Sequence, residues 1–327
     1  MTVNKLGRIL LLIMFCITGT MVKSQNVVYP EPLKPGDKIA VLAPASAVDK
    51  SYVDQSLKVL REIGYEPVVY KTAYGRRPGD YSGTPDERFN DLKAAFEDPE
   101  IKAILCARGG YGVVHNLDRL AQLDIEANPK WVIGFSDITA MHGFMKSKGI
   151  ASIHSSMCHH IRLGKNDTEN IYLFDILQGK FPTYEIKPDP RNHHGEAKGR
   201  ILGGNLSVLQ ALINTPYDLV EPGTILFIED LNEPIYKVER MLYQLKMAGM
   251  FDKLEGLVIG QFTKYRPDGR YTKMEDMMAA VLADYPDLPV AFNAPIGHVT
   301  HNNPIVESSM ATLKVTPEGV TLTMQPE

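Results

Sequence analysis

Between residues 38 and 154, short apolar runs alternate with amphipathic stretches, and this alternation constrains the fold more than any other feature of the chain. Residues 38–43 read K-I-A-V-L-A, and further runs follow at 66–70, 103–107, 131–135 and 150–154. Between the first two, Val53, Leu57, Leu60 and Ile63 recur at helical spacing, and Gly64 ends the stripe. Thr84-Pro85-Asp86-Glu87 is a capping box with proline in the first turn, opening a helix that should bury Phe89, Leu92 and Phe96. Strands alternating with helices predict a parallel sheet covered on both faces.

The pattern changes after residue 160. Residues 164–170 are polar and 187–199 are rich in proline, histidine and charge, which reads as a connection between two domains. Beyond it, strands are expected at 200–203, 224–229 and 257–261, and helices at 234–248 and 273–285. The tail 311–324 alternates about a turn at Pro317-Glu318-Gly319. The expected fold class is therefore α/β with two domains: an N-terminal parallel-sheet α/β sandwich over 25–165, a connection over 166–199, and a smaller C-terminal α/β domain with a mixed sheet over 200–327.

Residues 1–24 read as a cleaved export signal. Lys5 and Arg8 precede an unbroken apolar run at 9–17, and Val22-Lys23-Ser24 supplies a cleavage site. Nine residues fall well short of the ~20 that span a bilayer, so no stable membrane insertion is expected after cleavage. Cys16 follows Phe15, where a lipoprotein signal needs a small residue. The leader carries Lys5, Arg8 and Lys23 and no acid, so its loss takes the formal charge from −4 to −7. An acidic chain of this kind excludes nucleic acid as the expected partner, because phosphate binding needs a basic face. Two cysteines remain, Cys106 and Cys158, too few for a disulfide framework.

Four segments hold residues suited to chemistry. Ser136 follows a strand at once and precedes a helix, in G-F-S-D. That arrangement makes a nucleophile elbow, but Ser136 or Asp137 as a plain helix cap reads the same. Arg108-Gly109-Gly110-Tyr111-Gly112 is either a tight turn or a loop whose N–H groups meet an oxyanion. Glu229 ends a strand in I-E-D, placed to orient an imidazole. His298 follows Gly297, with His301 three residues on as its rival. His154, Cys158, His159 and His160 lie close together, but their spacing matches no common zinc site, so no metal is expected.

Taken in order, R-G-G-Y-G, G-F-S-D-I-T-A (134–140), G-G-N-L (203–206), E-D-L-N-E-P (229–234), V-E-R-M-L (238–242) and G-H (297–298) resemble the murein LD-carboxypeptidase family of serine peptidases. The resemblance implies a groove between two domains, with Ser136 as nucleophile, His298 as base and Glu229 as its carboxylate. It implies an oxyanion hole from the N–H groups of Gly110 and Asp137, with Tyr111 and Asn205 as substrate contacts. No cofactor is implied. The implied reaction removes the terminal D-alanine of a murein tetrapeptide through an acyl-enzyme. Family members are often dimers, so a homodimer is an expectation. Those that recycle murein are cytoplasmic, whereas this chain reads as exported, with the periplasm as its expected location. A second branch of the family cleaves peptide–nucleotide antibiotics. Two further readings from other classes are a non-catalytic periplasmic binding protein and an α/β-hydrolase esterase. The esterase reading is weakened because G-F-S-D lacks a glycine two residues after the serine.

Overall fold

The computed structural model describes residues 26–326, so the expected leader at 1–24 lies outside the described residues. The first half runs β1 (Lys38–Leu42), α1 (Lys50–Ile63), β2 (Glu66–Val69), α2 (Pro85–Glu97), β3 (Ile101–Cys106), α3 (Leu117–Leu120), β4 (Trp131–Gly134), α4 (Thr139–Ser147), β5 (Ser152–His154) and α5 (Cys158–Ile161). The chain continues through α6 (Thr168–Leu177), β6 (Thr183–Ile186), β7 (Gly195–Asn205), α7 (Leu206–Leu212), β8 (Thr224–Leu231), α8 (Ile235–Met247), β9 (Leu254–Thr263) and α9 (Met274–Leu282). It closes with β10 (Val290–Ala291), β11 (Ile305–Glu307), β12 (Met310–Thr316) and β13 (Gly319–Gln325).

Local chemistry accounts for the elements nearest the site. The Asp49 carboxylate accepts the Ser51 N–H at the start of α1, whose Val53, Leu57 and Leu60 are buried. The capping box of α2 is complete, with Thr84 and Glu87 each bonding the other's backbone N–H. On α2 it is Arg88, rather than Phe89, that turns fully inward beside Leu92 and Phe96. Phe89 is half-buried, with the Arg119 guanidinium 3.8 Å from its ring centroid.

The first sheet has the order β11-β5-β4-β3-β1-β2 and the second β10-β9-β8-β7-β12-β13-β6. In the first sheet β2, β1, β3, β4 and β5 are parallel, and β11 joins β5 antiparallel, with Val306 opposite Ile153. The second sheet is mixed: β7 to β10 run parallel, and β12, β13 and β6 add antiparallel pairs.

Two features depart from the sequence reading. Residues 166–199, expected as a bare connection, contain α6, β6 and the start of β7, because Tyr184 and Ile186 alternate inward and complete the edge of the second sheet. The second region also returns a strand, β11, to the first sheet. A single buried apolar cluster accordingly runs from Val41, Leu105 and Ile153 to Ile201, Phe227 and Leu313. Each such side chain contributes about 1.5–3 kcal/mol when fully buried, so the two sheets share one core. Cys106 and Cys158 are both buried and free.

Candidate active site

Ser136 sits where β4 gives way to α4, with φ at 67°. That left-handed value costs a residue with a side chain about 1–3 kcal/mol, a strain typical of a nucleophile held clear of its own strand. Ser136–Ile138 form one 3-10 turn leading into α4, and no side chain caps either segment. Ser136 is therefore not the helix cap that its position also allowed. The first N–H groups of this helical start, that of Asp137 among them, have no intrahelical acceptor.

The Asp137 side chain is not a cap either. It is buried, and its Oδ2 accepts the Val113 N–H at 2.9 Å. Desolvation pushes its pKa up to about 6, against the pull of the Val113 N–H, Arg88 and the Gly112 N–H. The carboxyl thus pins the glycine-rich loop 108–112 to the elbow. The contact is close, since a β carbon at Gly109 would lie 3.0 Å from Ser136 Cβ. Gly110 has φ 101°, and a β carbon there would meet Ser46 Oγ at 2.1 Å, so only glycine fits. Tyr111 donates its N–H to Ser46 Oγ at 3.3 Å, while its ring is 55% exposed and stands edge-on to His115.

Arg88 fixes the same loop from beneath. Its guanidinium is 1% exposed and donates to Gly112 O at 2.8 Å and Pro44 O at 3.0 Å. The sequence reading passed over this residue. Its signal was a charge sitting in the apolar stripe with Leu92 and Phe96.

The other half of the site comes from the second sheet. Glu229, at the end of β8, is 0% exposed, and its Oε2 is 2.7 Å from His298 Nδ1. Burial disfavours the imidazolium, but the Glu229 hydrogen bond and charge outweigh it, so the His298 pKa is raised. Gly297 has φ 117°, and a β carbon there would strike Glu229 Cβ at 2.7 Å, which accounts for the G-H pair. The His298 ring lies 4.8 Å from that of Phe135, the residue before Ser136. The structure thus joins Glu229 to His298 directly and brings the imidazole beside the elbow. No hydrogen bond links Ser136 Oγ to the ring among the described residues. Such bonds are often long before substrate binds.

Asn205, expected as a substrate contact, is buried at the end of β7. It caps α7, with Oδ1 accepting the Val208 N–H, and its Nδ2 donates to Asp230 Oδ1 at 3.0 Å. Its own N–H donates to Thr139 Oγ1, so it ties the second sheet to the start of α4. His301, the rival histidine, pairs with the buried Glu169. The cluster His154, Cys158, His159 and His160 does not converge: His159 is exposed against Tyr52, and Cys158 is buried elsewhere.

A cleft of about 730 Å³ opens beside the elbow, lined by Phe135 and His298 together with Arg76, Arg108, Lys264 and Asp49. Arg108 is already paired with Asp80, while Lys264 is exposed. No helix among the described residues is long and apolar enough to cross a membrane.

Two family models match the chain: the LD-carboxypeptidase N-terminal domain over residues 39–155 and the LD-carboxypeptidase C-terminal domain over 198–313. A relative from Bacillus subtilis, named "Probable murein peptide carboxypeptidase", is 34% identical and covers 78% of this chain and 81% of its own. The crystal structure of muramoyltetrapeptide carboxypeptidase from Oxalobacter formigenes is 25% identical with a TM-score of 0.78, over 88% of this chain and 98% of its own. An MccF-like protein from Bacillus anthracis is 26% identical with a TM-score of 0.78, over 92% of this chain and 100% of its own.

Proposed function

Because this chain belongs to the LD-carboxypeptidase family, a family of serine peptidases, we propose that it removes the terminal D-alanine from murein tetrapeptides, with Ser136, His298 and Glu229 as its catalytic residues. The observation that carries this reading is the 2.7 Å bond from a buried carboxylate to an imidazole lying beside a serine held in left-handed backbone. A hydroxyl becomes a useful nucleophile only when a base takes its proton. The base needs a carboxylate on its far nitrogen to fix the tautomer and stabilise the imidazolium.

Ser136 Oγ attacks the carbonyl carbon before the terminal D-residue, and its proton passes to His298 Nε2. The N–H groups of Gly110 and Asp137 hold the resulting oxyanion, each contributing about 3 kcal/mol. The C–N bond breaks, His298 returns the proton to the departing amine, and D-alanine leaves. Water then attacks the acyl-enzyme with His298 as base, which frees the shortened peptide and restores Ser136. Lys264 supplies positive charge in the cleft for the terminal carboxylate that a carboxypeptidase must recognise. We place the enzyme outside the cytoplasm, on the strength of the leader at 1–24, where wall peptides would be its substrate.

The test is mass spectrometry of an LD-tetrapeptide incubated with the protein. Loss of one D-alanine by the wild type, and none by a folded Ser136→Ala variant, supports the reading. Tight binding without turnover would instead make the protein a binding module. Faster cleavage of peptidyl nucleotides than of tetrapeptides would move it to the family's antibiotic-cleaving branch.

A further inference from the structure

Beneath the elbow lies a second group of convergent side chains that the peptidase reading leaves without a task. His142 on α4, His154 at the end of β5 and Glu307 on β11 are 0%, 0% and 1% exposed. One donor atom of each lies within 4.8 Å of the others. Both ring nitrogens of His154 and the Oε1 of Glu307 are buried without a hydrogen-bond partner. Buried polar atoms in native proteins are almost always satisfied, so three unpaired ones converging in one cluster call for a shared partner.

The details favour a cation. His142 Nε2 donates to Gly134 O at 2.9 Å, which puts its lone pair on Nδ1, 2.8 Å from Ser152 Oγ. A metal-bound imidazole is held in this way, with its far N–H on a backbone carbonyl. His154 is fully buried and neither of its ring nitrogens has a hydrogen-bond partner, so a ring lone pair is free to bind an ion. Glu307 Oε2 accepts only the Gly203 N–H, at 3.1 Å. A buried carboxylate with one N–H donor needs either a proton or a positive ion. Glu307 stands opposite Ser152 in the β11–β5 register, so the carboxylate and hydroxyl are cross-strand neighbours.

We infer that this cluster is a binding site for one divalent transition ion of the zinc type, with His142, His154 and Glu307 as ligands. Two neutral imidazoles and one carboxylate form a donor set that zinc accepts in tetrahedral geometry, with Ser152 Oγ or a water in the fourth place. Closing from a 4.8 Å spread to bonds of about 2.1 Å asks each donor to move inward by well under 1 Å. The ion would join α4, β5 and β11, binding a late strand to the sheet that carries Ser136. This inference stands apart from the peptidase reading and is read out without activity.

The experiment uses untagged full chain purified from zinc-supplemented medium. Elemental analysis should find about one zinc per chain. Chelator-treated protein should regain thermal stability on adding Zn²⁺, and Co²⁺ should give the intense visible bands of a tetrahedral site. Glu307→Gln keeps the shape and the acceptor for Gly203. It should weaken zinc by more than the roughly 10–100-fold lost when only an outer partner of a metal ligand is removed. A His194→Ala control, at an exposed position, should bind as wild type. Metal-free protein that neither takes up Zn²⁺ nor gains stability from it overturns the inference and leaves a protonated Glu307 with buried water. Equal zinc binding by Glu307→Gln and wild type overturns it too.

Discussion

His298 and His301 sit three residues apart on one loop, and each places Nδ1 2.7 Å from a buried glutamate oxygen. Their surroundings are opposite. The His298 side chain is 18% exposed and packs on Phe135, whereas that of His301 is 72% exposed. Glu229 reaches its histidine from the end of β8, next to the glycine that lets the backbones touch. Glu169 reaches its own from α6 and so docks the loop on the neighbouring helix. An identical bond therefore does two different jobs. In the mechanism proposed above, the carboxylate beneath the ring packed on Phe135 tunes a base. Where the ring stands in solvent, the same pair only holds a loop.

Substitutions test this contrast. Ser136→Ala removes the group that distinguishes the first pair's environment and should lower turnover about 10⁶-fold in a D-alanine release assay, with the fold intact by circular dichroism. His298→Ala should cost about as much, while His301→Ala should stay within roughly tenfold; comparable losses at the two positions would erase the distinction. Glu229→Gln keeps the volume but spoils the tautomer, for a loss of about 10³–10⁴-fold, whereas Glu169→Gln should alter KM more than kcat.

The pH dependence follows from the raised pKa of His298. The base must be neutral, so kcat/KM should fall tenfold per unit on the acid side of a midpoint above 6.5, and Glu229→Gln should move that midpoint down. Stability runs the other way. The bond to Glu229 favours the protonated ring, so its contribution is complete below pH 6.5 and fades as pH rises through the raised value. Denaturant titrations at several pH values would show both signs. The smallest effect is expected on stability at the exposed pair, where His301→Ala should shift unfolding by under about 1 kcal/mol.

Much of this was legible in the sequence, because it depends on neighbours along the chain. The strand–serine–helix step at 131–139, the capping box of α2 and the glycine before His298 are all local patterns. The choice between His298 and His301 was not local, since their partners lie 69 and 132 residues away. Arg88 was missed because an inward guanidinium is explained only by the carbonyls of Gly112 and Pro44, which no periodicity reveals. The elements within 166–199 were hidden for a related reason: α6 has no clean apolar stripe, with Ile171 exposed while Leu173, Phe174, Ile176 and Leu177 are buried. His142 and Glu307 carry no motif and come together only through the return of β11.

That return has a consequence for how the protein is made. On a ribosome, β1 to β5 emerge early and can pair in parallel, but the open edge of β5 must wait for residues 305–307 to be synthesised. Until then the nascent sheet exposes an unpaired edge, a surface prone to adhere to other chains. A product cut short before β11 would carry the serine, the glutamate and even the histidine, yet lack the strand that seals the first sheet. The arrival of residues 305–307 is thus the event that turns a set of correctly encoded residues into a closed body.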